Sequence, residues 1–313
     1  MHPHEIIFWV VFNVFVLAML ALDLGVLNRK AHVVKFREAI GWTIMWISLA
    51  ILFAIGVYFW RGRTTALEFT TGYVVELALS VDNLFVFILI FRYFNVPKRH
   101  QHKVLFWGIL GALIMRGVFI AAGVTLINMF HWVIYVFGAF LVFVGFRLAF
   151  QKADESVHPE NNYAVKLLRK FVPVTKDFDE GNFFVRKNGL FATPLFVVLI
   201  VVETTDIIFA VDSIPAILAI TRDAFIVYTS NVFAIMGLRA MYFALAGMME
   251  MFHHLHYGLS LVLVFIGAKM LTSNYYPIPT EWALAVVALL LGVSIAASLM
   301  FPPKKKLEVD VAE

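Results

Sequence analysis

Glu76-Leu-Ala-Leu-Ser-Val-Asp82-Asn83 and Asp206-Ile-Ile-Phe-Ala-Val-Asp212-Ser213 are the two stretches on which the reading of this chain turns. In each, a carboxylate is followed six positions later by Asp and then by a short side chain with an amide or hydroxyl oxygen. Both lie among apolar runs such as Leu84 to Phe91 and Leu195 to Val202, so the same acidic site occurs twice in sequence that reads as membrane.

Composition supports that medium. With 62% hydrophobic residues, 15% charged residues and 32 Phe in 313 positions, the chain is too apolar for a soluble domain, whose core could not hide so much surface. A mean hydropathy of +0.86 agrees. The expected fold class is therefore an all-α polytopic membrane protein. The net charge of +4 does not argue for nucleic acid, because Lys and Arg beside membrane spans give the same balance. Cysteine is absent, which removes disulfides and thiolate sites and leaves oxygen or His to hold any metal.

Nine spans are predicted. Glu5 to Leu27 is long enough to cross a hydrocarbon layer of about 30 Å and lacks a basic leader and small-residue cleavage site, so it is read as a retained first helix. Others follow at about 40–60, 67–93, 104–127, 131–150, 190–220, 224–249, 256–272 and 281–301. The basic stretches Arg29 to Arg37, Arg92 to Lys103, Lys166 to Lys170 and Lys304 to Lys306 then fall on one side, expected to be cytoplasmic, with the N-terminus outside. Arg61, Arg63 and Arg222 are the outside exceptions. Between Gln151 and Asn188 the hydropathy collapses, and this cytoplasmic loop is too short for a core of its own. The whole of 1–313 is thus one transmembrane domain, with a cytoplasmic tail at 302–313.

The acidic stretches belong to a longer repeat. Val142-Phe-Val-Gly-Phe-Arg147 matches Val264-Phe-Ile-Gly-Ala-Lys269, and Arg116 corresponds to Arg239, at offsets of 122 to 130 residues. Repeat one (67–150) and repeat two (190–272) flank the loop at 151–189. Each has an odd number of spans, so the second copy is expected to enter the membrane from the opposite side, as inverted repeats of secondary transporters do.

An ionised carboxylate at mid-bilayer costs roughly 3 kcal/mol, and such residues usually mark pathways. Glu76, Asp82, Glu203, Asp206 and Asp212 lie in two helices; five carboxylates less the two guanidinium groups of Arg116 and Arg239 leave three formal negative charges for protons or a cation. Structural pairing with those two arginines is the competing explanation. Residues six apart on an unbroken helix point about 120° away from each other, so convergence on one ion predicts a break in the helix. Pro215 gives a reason for one in the second copy, since it has no N–H for the carbonyl of Val211. The ligand set is all oxygen, with Ser80, Asn83, Thr204, Ser213 and Asn231 as neutral donors, and suits Mg²⁺, Ca²⁺ or Mn²⁺ rather than Zn²⁺ or Cu⁺. His100, His102, His131, His253, His254 and His256, at predicted span ends, read as wetted interfacial residues, as does Asp23.

Glu76-x5-Asp82-Asn83, the loop sequence Phe183-Phe-Val-Arg-Lys-Asn-Gly189 and Glu203-x2-Asp206-x5-Asp212-Ser-Ile-Pro215-Ala resemble the TerC family of integral membrane proteins, in particular its Alx branch, over about residues 8 to 300. The resemblance implies nine helices in the bacterial inner membrane, within the lysine-exporter-like superfamily, and export of Mn²⁺ from the cytoplasm. It places the transport carboxylates at Glu76, Asp82, Asp206 and Asp212, with Asn83 and Ser213 beside them; Glu203 is the further acidic candidate. Names in the family derive from tellurium resistance and alkaline induction, and an oxyanion does not suit a net-negative site.

The expected function is a secondary exporter of a divalent cation, with protons as candidate counter-ions, lipid as the surrounding partner and no cofactor. An enzyme is not expected, because HExxH, GxSxG and Walker A patterns are missing from the spans. A non-transporting accessory or scaffold in metal or tellurite stress is the alternative.

Overall fold

The structure is a computed structural model that describes residues 3–22, 36–130, 132–150, 172–175, 178, 181–187, 189–246, 255–276 and 278–300; of Pro3 to Glu5, Leu22, Asp82, Phe85, Lys187 and Asp212 it describes the backbone only. Among these residues the chain forms nine long helices. They are α1 Pro3–Leu22, α2 Phe36–Arg61, α3 Arg63–Tyr93, α4 Lys98–Met129, α5 Val133–Phe150, α6 Pro194–Leu218, α7 Ala224–Leu245, α8 Leu255–Thr272 and α9 Thr280–Met300. In lipid a backbone must satisfy its own hydrogen bonds, which is why uninterrupted Leu, Ile, Val and Phe runs close into helices. Among the described residues eight helices, α2 to α9, are long and apolar enough to cross a membrane, and α1 adds a shorter apolar stretch at Ile6–Ala21.

The helix ends follow local chemistry. Gly62 alone joins α2 to α3 at φ 88°, a left-handed corner that a Cβ makes costly. Gly62→Ala is expected to cost about 1–2 kcal/mol and to lower the melting temperature of the purified protein by a few degrees. Asn95, at φ 50°, ends α3, and Pro97 caps the start of α4. Helix four therefore begins at Lys98, not at about 104: its first charged turn stands beyond the apolar stretch that hydropathy detects. Helix six begins at Pro194, not at about 190, because Gly189–Ala192 is a strand (β2) paired antiparallel with Phe184–Lys187 (β1). Thr193, held extended before the proline, separates strand from helix. Most of the 151–189 loop, the 302–313 tail, Asp23, His131, His253 and His254 lie outside the described residues.

Both expected helix breaks are corrected. α3 runs unbroken through Ser80 to Asn83, and α6 continues through Val211 to Leu218 with Pro215 inside it. A proline near a helix end removes one hydrogen bond, and packing on the neighbouring helices holds the rest in line.

α3 and α7 form the centre, with 69% and 83% of their membrane-crossing windows buried, against 17% for α2 and 22% for α5. α3 packs on α7, α4 on α6, and α5 on α8, while α2 covers α3 and α7 and α9 covers α8 and α3. The α5–α8 crossing is close and reciprocal. A Cβ on Gly145 would lie 2.7 Å from Val264 Cγ2 and 2.8 Å from the carbonyl of Ser260; one on Gly267 would lie 2.8 Å from Val142 Cγ2 and 2.7 Å from the carbonyl of Gly138. Small residues let helix backbones approach to that distance in a membrane.

Candidate functional site

The face of α3 that carries the acidic motif is set by helical period. Glu76, Ser80 and Asn83 stand at i, i+4 and i+7 and are all buried, and on α6 Asp206, Ala210 and Ser213 repeat the same spacing and the same burial. These positions fall on one stripe of an unbroken helix. The pairs seven apart thus share a face without the break that pairs six apart require.

α4 brings Arg116 between the two stripes. Its Nη1 donates to Glu76 Oε1 in a close ion pair and to Ser213 Oγ at 3.2 Å, and Nη2 donates to Asp206 Oδ1 at 3.3 Å. Glu76 and Arg116 are each 1% exposed and Asp206 5%, so this ionic group is sealed from solvent within the protein. The structure therefore unites Glu76, Asp206 and Ser213 from the predicted site around one guanidinium. Asn83 and Ser80 lie further along the α3 stripe. Asp82 and Asp212 stand on the α3 and α6 backbones next to Asn83 and Ser213, and their side chains lie outside the described residues.

The group is incompletely satisfied. Glu76 Oε2, Asp206 Oδ2, Arg116 Nε, Ser80 Oγ, Asn83 Nδ2 and both ends of the Asn231 amide are buried with no hydrogen-bond partner among the described residues. Buried polar atoms in folded proteins are nearly always paired, and three of these belong to the Glu76, Asp206 and Arg116 side chains of the one ionic group. Among the described residues no three His, Asp or Glu side chains gather at one point. What the arrangement offers is two carboxylates, each with an unpaired oxygen, together with neutral oxygens on the same faces.

The guanidinium bonds Glu76, Ser213 and Asp206 rather than Glu203. Glu203 is half-buried on α6, with its carboxylate lying where a Cβ on Gly111 of α4 would sit, and Gly108 one turn away faces Val202. The role of Gly111 as its cradle was missed; the readable signal was two glycines three apart in an apolar helix that otherwise has no turn to make. Glu68, which no sequence motif singles out, accepts from Thr221 Oγ1 at 2.7 Å near the start of α3.

The repeat partner of Arg116 is placed differently. Arg239 meets His102 Nε2 at 3.1 Å, beside a cavity of about 30 Å³ lined also by Glu38 and Trp46. His100 is buried rather than wetted, at 7% exposure, because Gly181 folds over it and Lys103 Nζ donates to the Gly181 carbonyl at 2.8 Å. The hairpin region is thereby tied to the start of α4. Arg61, one of the outside exceptions, is paired with Asp223, whose carboxylate also caps α7.

Comparison with known proteins agrees with the membrane-crossing helices. The model of the TerC family of integral membrane proteins matches residues 61–306. The chain belongs to the TerC family. It is 53% identical over 293 residues to an uncharacterized membrane protein of Myxococcus xanthus, covering 93% of this chain and 92% of that one. Relatives that carry the name membrane-bound redox modulator Alx are 48% identical: over 297 residues in Salmonella typhi, with 92% of each chain covered, and over 289 residues in Escherichia coli K12, with 89% of this chain and 90% of that one. No solved structure matches. This TerC protein is thus an integral, multi-pass membrane protein.

Proposed function

We propose that this protein is not an enzyme but a secondary transporter that exports a divalent cation, foremost Mn²⁺, across the bacterial inner membrane, with protons as counter-ions. The observation that carries this is the placement of Glu76 and Asp206 on facing stripes of two membrane-crossing helices, each with one carboxylate oxygen unpaired. Carboxylates are expensive there and serve a pathway more often than a scaffold. Hard oxygen donors favour Mn²⁺, Mg²⁺ or Ca²⁺ over Zn²⁺ or Cu⁺. Asp82, Asn83, Asp212, Ser213 and Glu203 complete the proposed ion path.

Two further observations support the reading. The α5–α8 contacts are reciprocal atom for atom, and α3 on α7 matches α4 on α6, which is the pattern that an inverted repeat with a pseudo-twofold axis would produce. The chain has no cysteine, so the redox effect named for its relatives has no thiol to act through here, whereas a change in metal content needs none. The N-terminus is assigned outside and the C-terminus to the cytoplasm.

Cell metal content with and without expression tests the function. Expression is expected to lower Mn²⁺ severalfold under Mn²⁺ load while Zn²⁺ and copper stay unchanged. A fall in Zn²⁺ alone would defeat the ligand argument, and no change in any metal would favour the accessory-protein alternative.

A further inference from the structure

The position of Arg116 is difficult to reconcile with transport unless the guanidinium moves. It lies between the two carboxylates proposed to bind the metal, and it is as buried as they are. Formal charge makes the conflict explicit. Counted on Glu76 and Asp206 alone, the carboxylates sum to −1 with the guanidinium, to 0 with a divalent cation and to +1 with both, the two cations then crowding the same pair of carboxylates in a site of low dielectric. Guanidinium and metal therefore compete for these two carboxylates.

The hydrogen bonding distinguishes an exchangeable group from a fixed one. A structural buried arginine uses its five donors fully, in charge-assisted bonds of about 2.7–2.9 Å. Here Nη1 keeps the close ion pair with Glu76, but Nη1 and Nη2 reach Ser213 and Asp206 only at 3.2 Å and 3.3 Å, and Nε has no partner among the described residues. On the other side, Glu76 Oε2 and Asp206 Oδ2 are unpaired, so neither carboxylate is fully engaged by the arginine. The sequence-equivalent Arg239 lies with His102, leaving one guanidinium to serve both carboxylates.

We propose that Arg116 is a tethered counter-cation that competes with the transported divalent ion for Glu76 and Asp206, so that each leaves when the other binds. Competition of this kind keeps the carboxylates from trapping the metal and keeps them compensated between transport cycles. It rests on the transport reading above and goes beyond it in naming the group that sets release.

Mn²⁺ titration of the full-length protein in lipid nanodiscs, with Mn²⁺ counterflow in sealed vesicles, provides the test. Arg116→Gln is expected to bind Mn²⁺ about tenfold or more tightly than wild type, because the competitor is gone, and to exchange it more slowly. Arg116→Lys, which keeps the charge but cannot bridge two carboxylates, is expected to fall between the two. In Arg116→Ala, millimolar guanidinium chloride is expected to weaken Mn²⁺ binding again. A packing role has the opposite sign: an accumulated, monodisperse Arg116→Gln that binds Mn²⁺ no more tightly than wild type would overturn the proposal. If the neutral variants do not accumulate, Arg116→Lys decides, and an affinity equal to or below that of wild type overturns it. No Mn²⁺ binding by wild type and Arg116→Gln alike would instead end the transport reading itself.

Discussion

Glu76→Gln and Asp206→Asn, made singly, are expected to abolish Mn²⁺ export while the protein still reaches the membrane at within about twofold of wild-type abundance. The abundance half of this follows from the geometry of Arg116. Removing one partner of a buried ion pair is destabilising when it strands a charge, by about 3–5 kcal/mol. Here the guanidinium touches both carboxylates, so either substitution leaves it paired with the other and moves the formal charge of the group from −1 to 0. The export half follows from ligand loss. An amide in place of the carboxylate removes both the anionic oxygen that a hard divalent cation selects and the proton acceptor. Asp82→Asn and Asp212→Asn are expected to match each other in export loss by the repeat of the motif. Glu203→Gln is expected to be milder, since Glu203 lies against Gly111 rather than bonding the guanidinium, and Tyr73 occupies its repeat position. Metal content measured at equal membrane abundance decides. Full export by Glu76→Gln or Asp206→Asn would remove the site assignment, and a collapse in abundance would mean that Arg116 and its partners are packing alone.

The architecture was readable because lipid leaves a helix few alternatives: runs such as Leu284 to Leu291 can satisfy their backbone in a membrane only by coiling. Boundaries were harder where charge and helix coincide. Lys98 to Lys103 is helical yet polar, and hydropathy cannot see it; Leu190 to Ala192 is apolar yet extended, because it pairs with the strand before it and is stopped by Pro194. At the site, Glu76, Asp206 and Ser213 were legible from the duplicated motif, and Arg116 from its repeat position. The expected break was not. Spacing of six drew attention to Glu76 with Asp82, whereas a straight helix gathers residues at four and seven, and Ser80 and Asn83 meet that rule without any unwinding. Arg239 shows the other limit. The repeat makes it equivalent to Arg116, but its neighbour is His102, a residue that no local pattern connects to it.

The second large effect is expected at the α5–α8 crossing, where a Cβ would meet backbone and apolar side chains and no carboxylate. Gly145→Leu and Gly267→Leu are each expected to lower accumulation at least about fivefold. A Cβ at either position meets backbone as well as a valine: the Ser260 carbonyl at 2.8 Å for Gly145, and the Gly138 carbonyl at 2.7 Å for Gly267. A flexible side chain could turn aside, but a carbonyl inside a helix cannot, so the two helices must separate along their length. Overpacking costs about 1–3 kcal/mol in ordinary cores, and each kcal/mol is about a fivefold change in the folded-to-unfolded ratio. Because the contacts are reciprocal, the two substitutions are expected to have equal effects, which a crossing without pseudo-symmetry gives no reason to expect. Gly41, Gly56 and Gly292, where a Cβ meets nothing within 4 Å, serve as controls, and Ala there is expected to be neutral or to gain up to about 1 kcal/mol from helix propensity. Fluorescence-detected size-exclusion of the solubilised variants measures all five. Normal monodisperse yield from both Gly145→Leu and Gly267→Leu would show that the α5–α8 seam tolerates separation and would withdraw the close crossing as a determinant of the fold. A large loss from Gly145→Leu alone would leave the crossing in place but remove its symmetry, and with it one support for the inverted repeat.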